Sequence, residues 1–200
     1  MEVGFACCLP LTAYRLQKME IIETPIKDLV IIKPRVFNDA RGFFFESYNE
    51  KNYIDAGINI RFCQDNQSKS SYGVIRGLHY QLYPHSQSKL VSVVQGAVWD
   101  VAVDLRKNSP TFGQWYGVEL TEENHWQFLI PQGFAHGFSV LSETAVFSYK
   151  CDDFYNPTLE RGIIYNDPAL NIDWKIPAGM ELISEKDTKH PVLANADMNF

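Results

Sequence analysis

The chain has 200 residues of which 46% are apolar, enough to bury one full core and too few to require a second. Aromatic residues reach 14% while long Ala/Leu/Glu/Lys stretches are missing, a balance that favours pleated surfaces and points to an all-β chain. The net charge of −6 argues against broad binding to nucleic acid or anionic membranes, so any phosphate must be held by a few local arginines and lysines.

Residues 1–18 are apolar in composition but unlike a secretory signal. Glu2 sits where positive charge belongs, Pro10 breaks the apolar run, and no small-residue cleavage site follows. The expectation is an extension outside the core, upstream of a start at Met19, with residues 19–200 forming a single domain. No stretch approaches the ~18 consecutive apolar residues of a spanning helix, so no membrane partner is expected. Cys7 and Cys8 are adjacent while Cys63 and Cys151 are isolated, which gives neither a disulfide framework nor metal-ligand spacing and suits a reducing cytoplasm.

A short helix is predicted over 49–56, ending before Gly57. Val91 and Val93, then Gln95-Gly96, then Val98, Val101 and Val103 read as a hairpin. Trp115 to Leu120 alternates, with Tyr116, Val118 and Leu120 on one face and Gly117 and Glu119 on the other. Thr121 caps a turn through Asn124. Phe128 to Ile130, and Val146-Phe147 with Tyr149, continue the strands. The polar, Pro-containing tail over 177–200 is expected to wrap the surface. Many short strands at close intervals suggest a barrel or jelly roll with a few short helices.

The glycine-rich turn Pro131-Gln132-Gly133-Phe134-Ala135-His136-Gly137-Phe138 delivers a histidine between two strands, as in the cupin jelly roll. Metal-binding cupins place His-x-His on an earlier strand, but here that strand has His79 followed by Gln81. Two histidines from distant strands lack a third ligand, and no metal or other cofactor is expected.

The runs Asp39-Ala40-Arg41-Gly42-Phe43-Phe44-Phe45-Glu46-Ser47, Gln64-Asp65-Asn66, Arg76-Gly77-Leu78-His79-Tyr80-Gln81 and Ser109-Pro110-Thr111-Phe112-Gly113-Gln114-Trp115 carry a further resemblance. Ile130 to Phe138, Tyr149-Lys150 and Tyr155-Asn156-Pro157 extend it over about residues 19 to 190. Together they resemble the dTDP-4-dehydrorhamnose 3,5-epimerase family. That resemblance implies a cupin-type double-stranded β-helix, a homodimer, and a dTDP-linked 4-keto-6-deoxy sugar as substrate. A ketone at C4 acidifies the hydrogens on C3 and C5, so inversion needs a base on one face and an acid on the other.

His79 suits the base, since an imidazole takes a proton near neutral pH, and Nε2 is the nitrogen expected to do so. The resemblance gives it Asp187 as an orienting carboxylate, Tyr149 as the opposing proton donor and Lys89 as the charge partner of the enolate. It implies substrate contacts from Arg41, Glu46, Gln64, Asp65, Asn66, Arg76, His136, Glu160, Lys186, Phe44 and Tyr155, with Arg41 and Arg76 clamping the diphosphate and Phe44 covering the thymine. Taken alone, His79 reads as a core histidine, Tyr149 as packing, and Lys89 and the arginines as solvated surface charges. Asp100 reads equally as a strand carboxylate or a partner of the site. Tyr80 and Phe154 depart from the family's usual Phe and Tyr. The competing readings are an epimerase of a single carbon, a metal-dependent cupin oxygenase and a non-catalytic sugar-nucleotide binding cupin.

Overall fold

Residues 19–200 are described by a computed structural model of the chain, so the expectations for residues 1–18 lie outside the described residues. In chain order the strands are β1 (Glu20–Glu23), β2 (Val30–Lys33), β3 (Phe37–Asp39), β4 (Gly42–Phe44), β5 (Gln64–Ser71), β6 (Val74–Gln81) and β7 (Lys89–Gln95). They continue with β8 (Ala97–Asp104), β9 (Trp115–Thr121), β10 (Gln127–Ile130), β11 (Phe134–Val140), β12 (Thr144–Cys151), β13 (Glu160–Gly162) and β14 (Leu182–Ile183). Helix α1 spans Glu50–Asp55, capped by the Asn49 side chain on the Asn52 N–H. Two short 3-10 turns, Asp187–Lys189 and Leu193–Asn195, lie in the tail.

One sheet runs β1-β2-β10-β7-β12-β5 and the other β13-β6-β11-β8-β9, with β14 beside β6. Apart from the parallel β14, both sheets are antiparallel. The fold is an all-β, cupin-like jelly roll. The ribbon β3-β4 pairs with neither sheet.

The hairpin expected around Gln95-Gly96 is absent. β7 pairs with β10 and β12, whereas β8 pairs with β11 and β9, so the two strands lie in different sheets. Gly96 makes the corner between them with φ near +79°, and a Cβ there would come within 2.2 Å of the Thr144 carbonyl oxygen. A turn and a corner ask the same backbone freedom of this glycine, and only the distant partners decide between them.

Between the sheets lies the main core. Val91, Val93, Phe128, Ile130 and Phe147 of the first sheet meet Val98, Val118, Leu120, Phe134, Phe138 and Val140 of the second. The alternation read for β9 holds, with Val118 and Leu120 in this core and Gly117 leaving space for the Trp99 ring. α1 covers the outer face of the first sheet, where Tyr53 packs with Ile32, Leu90 and Leu129.

Ile163, Leu170 and Trp174 pack on the outer face of the second sheet against Leu78, Tyr80, Val101 and Val103, and Leu193, Met198 and Phe200 of the tail lie over them. β11 is therefore buried along its whole length. This cover also carries Asp187 to the edge of the sheet.

Candidate active site

The inter-sheet core turns polar at one end. Period-2 alternation puts Phe147, Tyr149 and Cys151 on the inner face of β12 and Lys89, Val91 and Val93 on that of β7. Register then aligns them into rungs: Gln64, Cys151 and Lys89 lie side by side, and Asn66, Tyr149 and Val91 form the next rung inward. From the opposite sheet, β6 contributes His79 and Gln81. These groups, with Tyr155 and Glu160, line an open cavity of about 240 Å³.

A bulge sets the position of His79. His136 pairs with His79 and Phe138 with Arg76, so two residues of β6, Gly77 and Leu78, stand against the single Gly137 of β11. The strands approach so closely that a Cβ on Gly77 would lie 2.5 Å from the Gly137 Cα. Both glycines are needed for that approach.

His79 Nε2 is 2.7 Å from Asp187 Oδ1, across 108 residues of sequence. The carboxylate is buried at 4% exposure. Burial works to raise its pKa, but the hydrogen bond and charge of His79, helped by the Gly77 N–H, outweigh that and hold it below the usual carboxylate value. Asp187 thus engages Nε2, the nitrogen expected to face the substrate, and leaves Nδ1 as the ring's other nitrogen. The carboxylate fixes the orientation of the ring.

Lys89 faces Tyr149 with its ammonium 5.9 Å from the ring centre. Burial lowers its pKa, against the opposing pull of Cys151, Asp100 and Glu160. Burial also pushes the Tyr149 phenol up from its ordinary value, which keeps it protonated at neutral pH. On the rim, Glu160 accepts from Tyr155 Oη at 2.8 Å and pairs with Lys186. Desolvation would raise the Glu160 pKa, yet the bonds from Lys186 and Tyr155 prevail and lower it.

His136 does not line the cavity. Its Nε2 lies 3.0 Å from both oxygens of Asp100, which is fully buried, and its ring stacks near Phe147. Burial drives the pair toward neutrality, raising Asp100 and lowering His136. Asp100, read as either a strand carboxylate or a partner of the site, is the buried partner of His136 and feels the charge of Lys89.

The other expected contacts separate into two groups. Gln64 and Asn66 line the cavity, joined by a 3.0 Å hydrogen bond, and Gln64 Oε1 accepts from the Tyr155 N–H. Asp65 points to the opposite face of β5 and pairs with Lys150. Arg76 is exposed and donates to Ser70 Oγ at 3.1 Å. Arg41, Phe44 and Glu46 belong to the β3-β4 ribbon and the segment after it, and none lines the His79 cavity. The Arg41 side chain is 90% exposed on Asp39, while Phe44 and Glu46 line a separate cleft of about 560 Å³ beside α1.

Sequence reasoning missed Gln81, Gln87 and Cys151 in the lining. Gln81 and Cys151 each lie two residues past a residue already singled out, so strand alternation held the signal. Gln81 donates to the His85 carbonyl and accepts from the Asn156 N–H, tying down the loop that carries Tyr155.

A family model described as dTDP-4-dehydrorhamnose 3,5-epimerase matches residues 23–195. A dTDP-4-dehydrorhamnose 3,5-epimerase of Shigella flexneri is 53% identical over 180 residues, which is 90% of this chain and 98% of that protein. The crystal structure of the Elizabethkingia anophelis enzyme of the same name superposes with a TM-score of 0.85 at 58% identity, covering 89% of this chain and 98% of that one. A dTDP-6-deoxy-D-glucose-3,5-epimerase of Legionella pneumophila, solved in complex with dTDP-4-keto-L-rhamnose, gives 0.86 at 53% identity, with coverage of 90% and 95%.

Proposed function

The chain belongs to the dTDP-4-dehydrorhamnose 3,5-epimerase family, and we propose that its two facing sheets carry out that epimerisation between His79 and Tyr149. The enzyme is an isomerase that converts dTDP-4-dehydro-6-deoxy-α-D-glucose to dTDP-4-dehydro-β-L-rhamnose. One observation carries the proposal for the residues: His79 hangs from one sheet, Lys89 and Tyr149 from the other, with the cavity between them. A sugar ring held there meets a base on one face and a phenol on the other.

Nδ1 of neutral His79 takes the proton from the carbon beside the ketone, and the electron pair moves onto O4 as the enolate. The imidazolium is stabilised by Asp187. The Lys89 ammonium meets the charge on O4, and the Tyr149 hydroxyl returns a proton to the opposite face of the carbon. Solvent restores the proton of the tyrosinate and removes that of the imidazolium. A turn of the sugar ring then presents the second carbon to the same pair.

The cavity favours a homodimer as the working unit. At about 240 Å³ it is smaller than the ~300–1,000 Å³ usual for ligand pockets and suits a single hexose, leaving the nucleoside diphosphate beyond its rim. The ribbon side chains expected to hold that part, Arg41 and Phe44, are free of the chain's own cavity, and Phe43 and Phe44 are 59% and 63% exposed. A second copy that brings its ribbon to this rim completes the substrate site. We place the enzyme in the cytoplasm, where the free thiols of Cys63 and Cys151 persist.

The test is to incubate enzyme and keto-sugar nucleotide in deuterium oxide and follow label at C3 and C5 by NMR. Label is expected at both carbons, abolished in His79→Ala. Exchange that survives in that variant would remove His79 from the role of base.

A further inference from the structure

One enclosed nitrogen remains unused by the reaction. His190 Nε2 is buried without a hydrogen-bond partner among the described residues. It stands 3.5 Å from Asp187 Oδ1, the oxygen already engaged by His79 Nε2. The two imidazoles meet edge to face with centroids 5.6 Å apart. His190 also occupies space that only a glycine leaves open: a Cβ on Gly162 would fall 2.5 Å from its ring. One ligand atom from each of His79, Asp187 and His190 lies within 4.8 Å of the others.

Two imidazoles and a carboxylate are a donor set for borderline-soft divalent ions, which sit ~2.0–2.2 Å from such nitrogens and oxygens. Of the three residues, His79 also lines the cavity, which opens a route to it from outside. Lys186, which lies near the cluster, is paired with Glu160.

We propose that His79, Asp187 and His190 form an inhibitory site for a divalent transition cation of the zinc type. The consequence for turnover rests on His79 acting as the base. An ion bound at Nε2 takes that nitrogen's lone pair, so the single proton of the neutral imidazole moves to Nδ1. No net proton is released, and Nδ1 loses the lone pair with which it attacks the sugar. Asp187 exchanges its hydrogen bond for a metal bond. The Cupin-type His-x-His that the β6 strand lacks plays no part, since His136 is turned to Asp100.

The test titrates metal-stripped enzyme with cobalt(II), followed by its visible absorption, and with zinc, followed by the epimerisation rate. A His190-dependent cobalt band is expected, with zinc inhibition at micromolar concentrations that EDTA reverses. His190→Ala and His190→Phe, each measured against its own metal-free rate, should lose the band and need about tenfold or more zinc for the same inhibition. The phenylalanine keeps a ring under Gly162 should the alanine variant fail to fold. A band and an inhibition unchanged in both variants overturn the site. A His190-dependent band in an enzyme that zinc does not slow overturns the inhibition. The cobalt band needs no turnover, so failure of the site is distinguishable from failure of His79 as base in the deuterium experiment.

Discussion

Lys89 sits in the site under opposing electrostatic influences. Burial favours its neutral form, and Cys151, Asp100 and Glu160 pull the other way. An enolate at O4 tips this balance toward the ammonium, so the interaction strengthens as the reaction proceeds and acts on turnover more than on binding. Lys89→Met is expected to lower kcat about 100-fold, a loss of roughly 3 kcal/mol, with little change in KM. Steady-state kinetics check it, and an effect confined to KM would contradict the role. Tyr149→Phe should behave differently. His79 can still remove a proton and return a solvent deuteron to the same face, so label enters the substrate while inverted product falls. NMR of the sugar pool separates the two, and undiminished product would rule out Tyr149 as donor. Tyr149 and Lys89 were legible only through family likeness, because alternation alone marks an inward tyrosine as packing. Asp187 lay further still from local reading, since 108 residues separate it from His79.

At the scale of the element, the β6-β11 bulge couples packing to chemistry. A Cβ on Gly137 would lie 2.8 Å from the Arg76 carbonyl oxygen and 3.1 Å from the Gly77 Cα. Backbone cannot yield cheaply, so Gly137→Ala should cost on the order of 1–3 kcal/mol and also shift His79. Urea unfolding and kcat/KM should fall together. The loop after β8 is held differently. Asp104 accepts from Arg106, Ser109 and Thr111, with the Ser109 and Thr111 hydroxyls at 2.6 and 2.7 Å. Desolvation would raise its pKa, but these bonds outweigh it and hold the carboxyl below its ordinary value. A depressed folded pKa means stability that is present above pH 3.8 and lost as the pH falls through the folded value. Asp104→Asn should therefore reduce stability at pH 7 and flatten this part of the acid limb in urea titrations. The run of residues 109–115 entered the sequence reading only as part of the family resemblance, and nothing in it marked the buried carboxylate five residues earlier that holds it. β7, β8, β9, β10 and β12 were legible from the apolar pattern. Their partners were not, and the Gly96 corner was misread as a hairpin because both need the same left-handed residue.

For the whole molecule, the unresolved balance is between one chain's cavity and a substrate larger than it. Gln64, Asn66, Tyr155 and Glu160 line the cavity together with His79. Arg41, suited to a diphosphate by its paired donors, projects from a ribbon that joins neither sheet. If each ribbon serves the partner's cavity, the two kinds of residue act on different chains, and defects in them complement. His79→Ala abolishes the base of its own cavity and leaves its ribbon intact. Arg41→Ala weakens the clamp it offers to the partner and leaves its own cavity intact. A mixed dimer then holds one site with both defects and one with neither. Random pairing of equal amounts makes half the dimers mixed, so about a quarter of wild-type activity should return when the two variants are co-expressed or exchange subunits. If Arg41 served its own cavity, every site would carry one defect or the other, and mixing would restore nothing. Size-exclusion chromatography with light scattering establishes the dimer first, and the rate of the mixed sample then decides on which chain Arg41 acts.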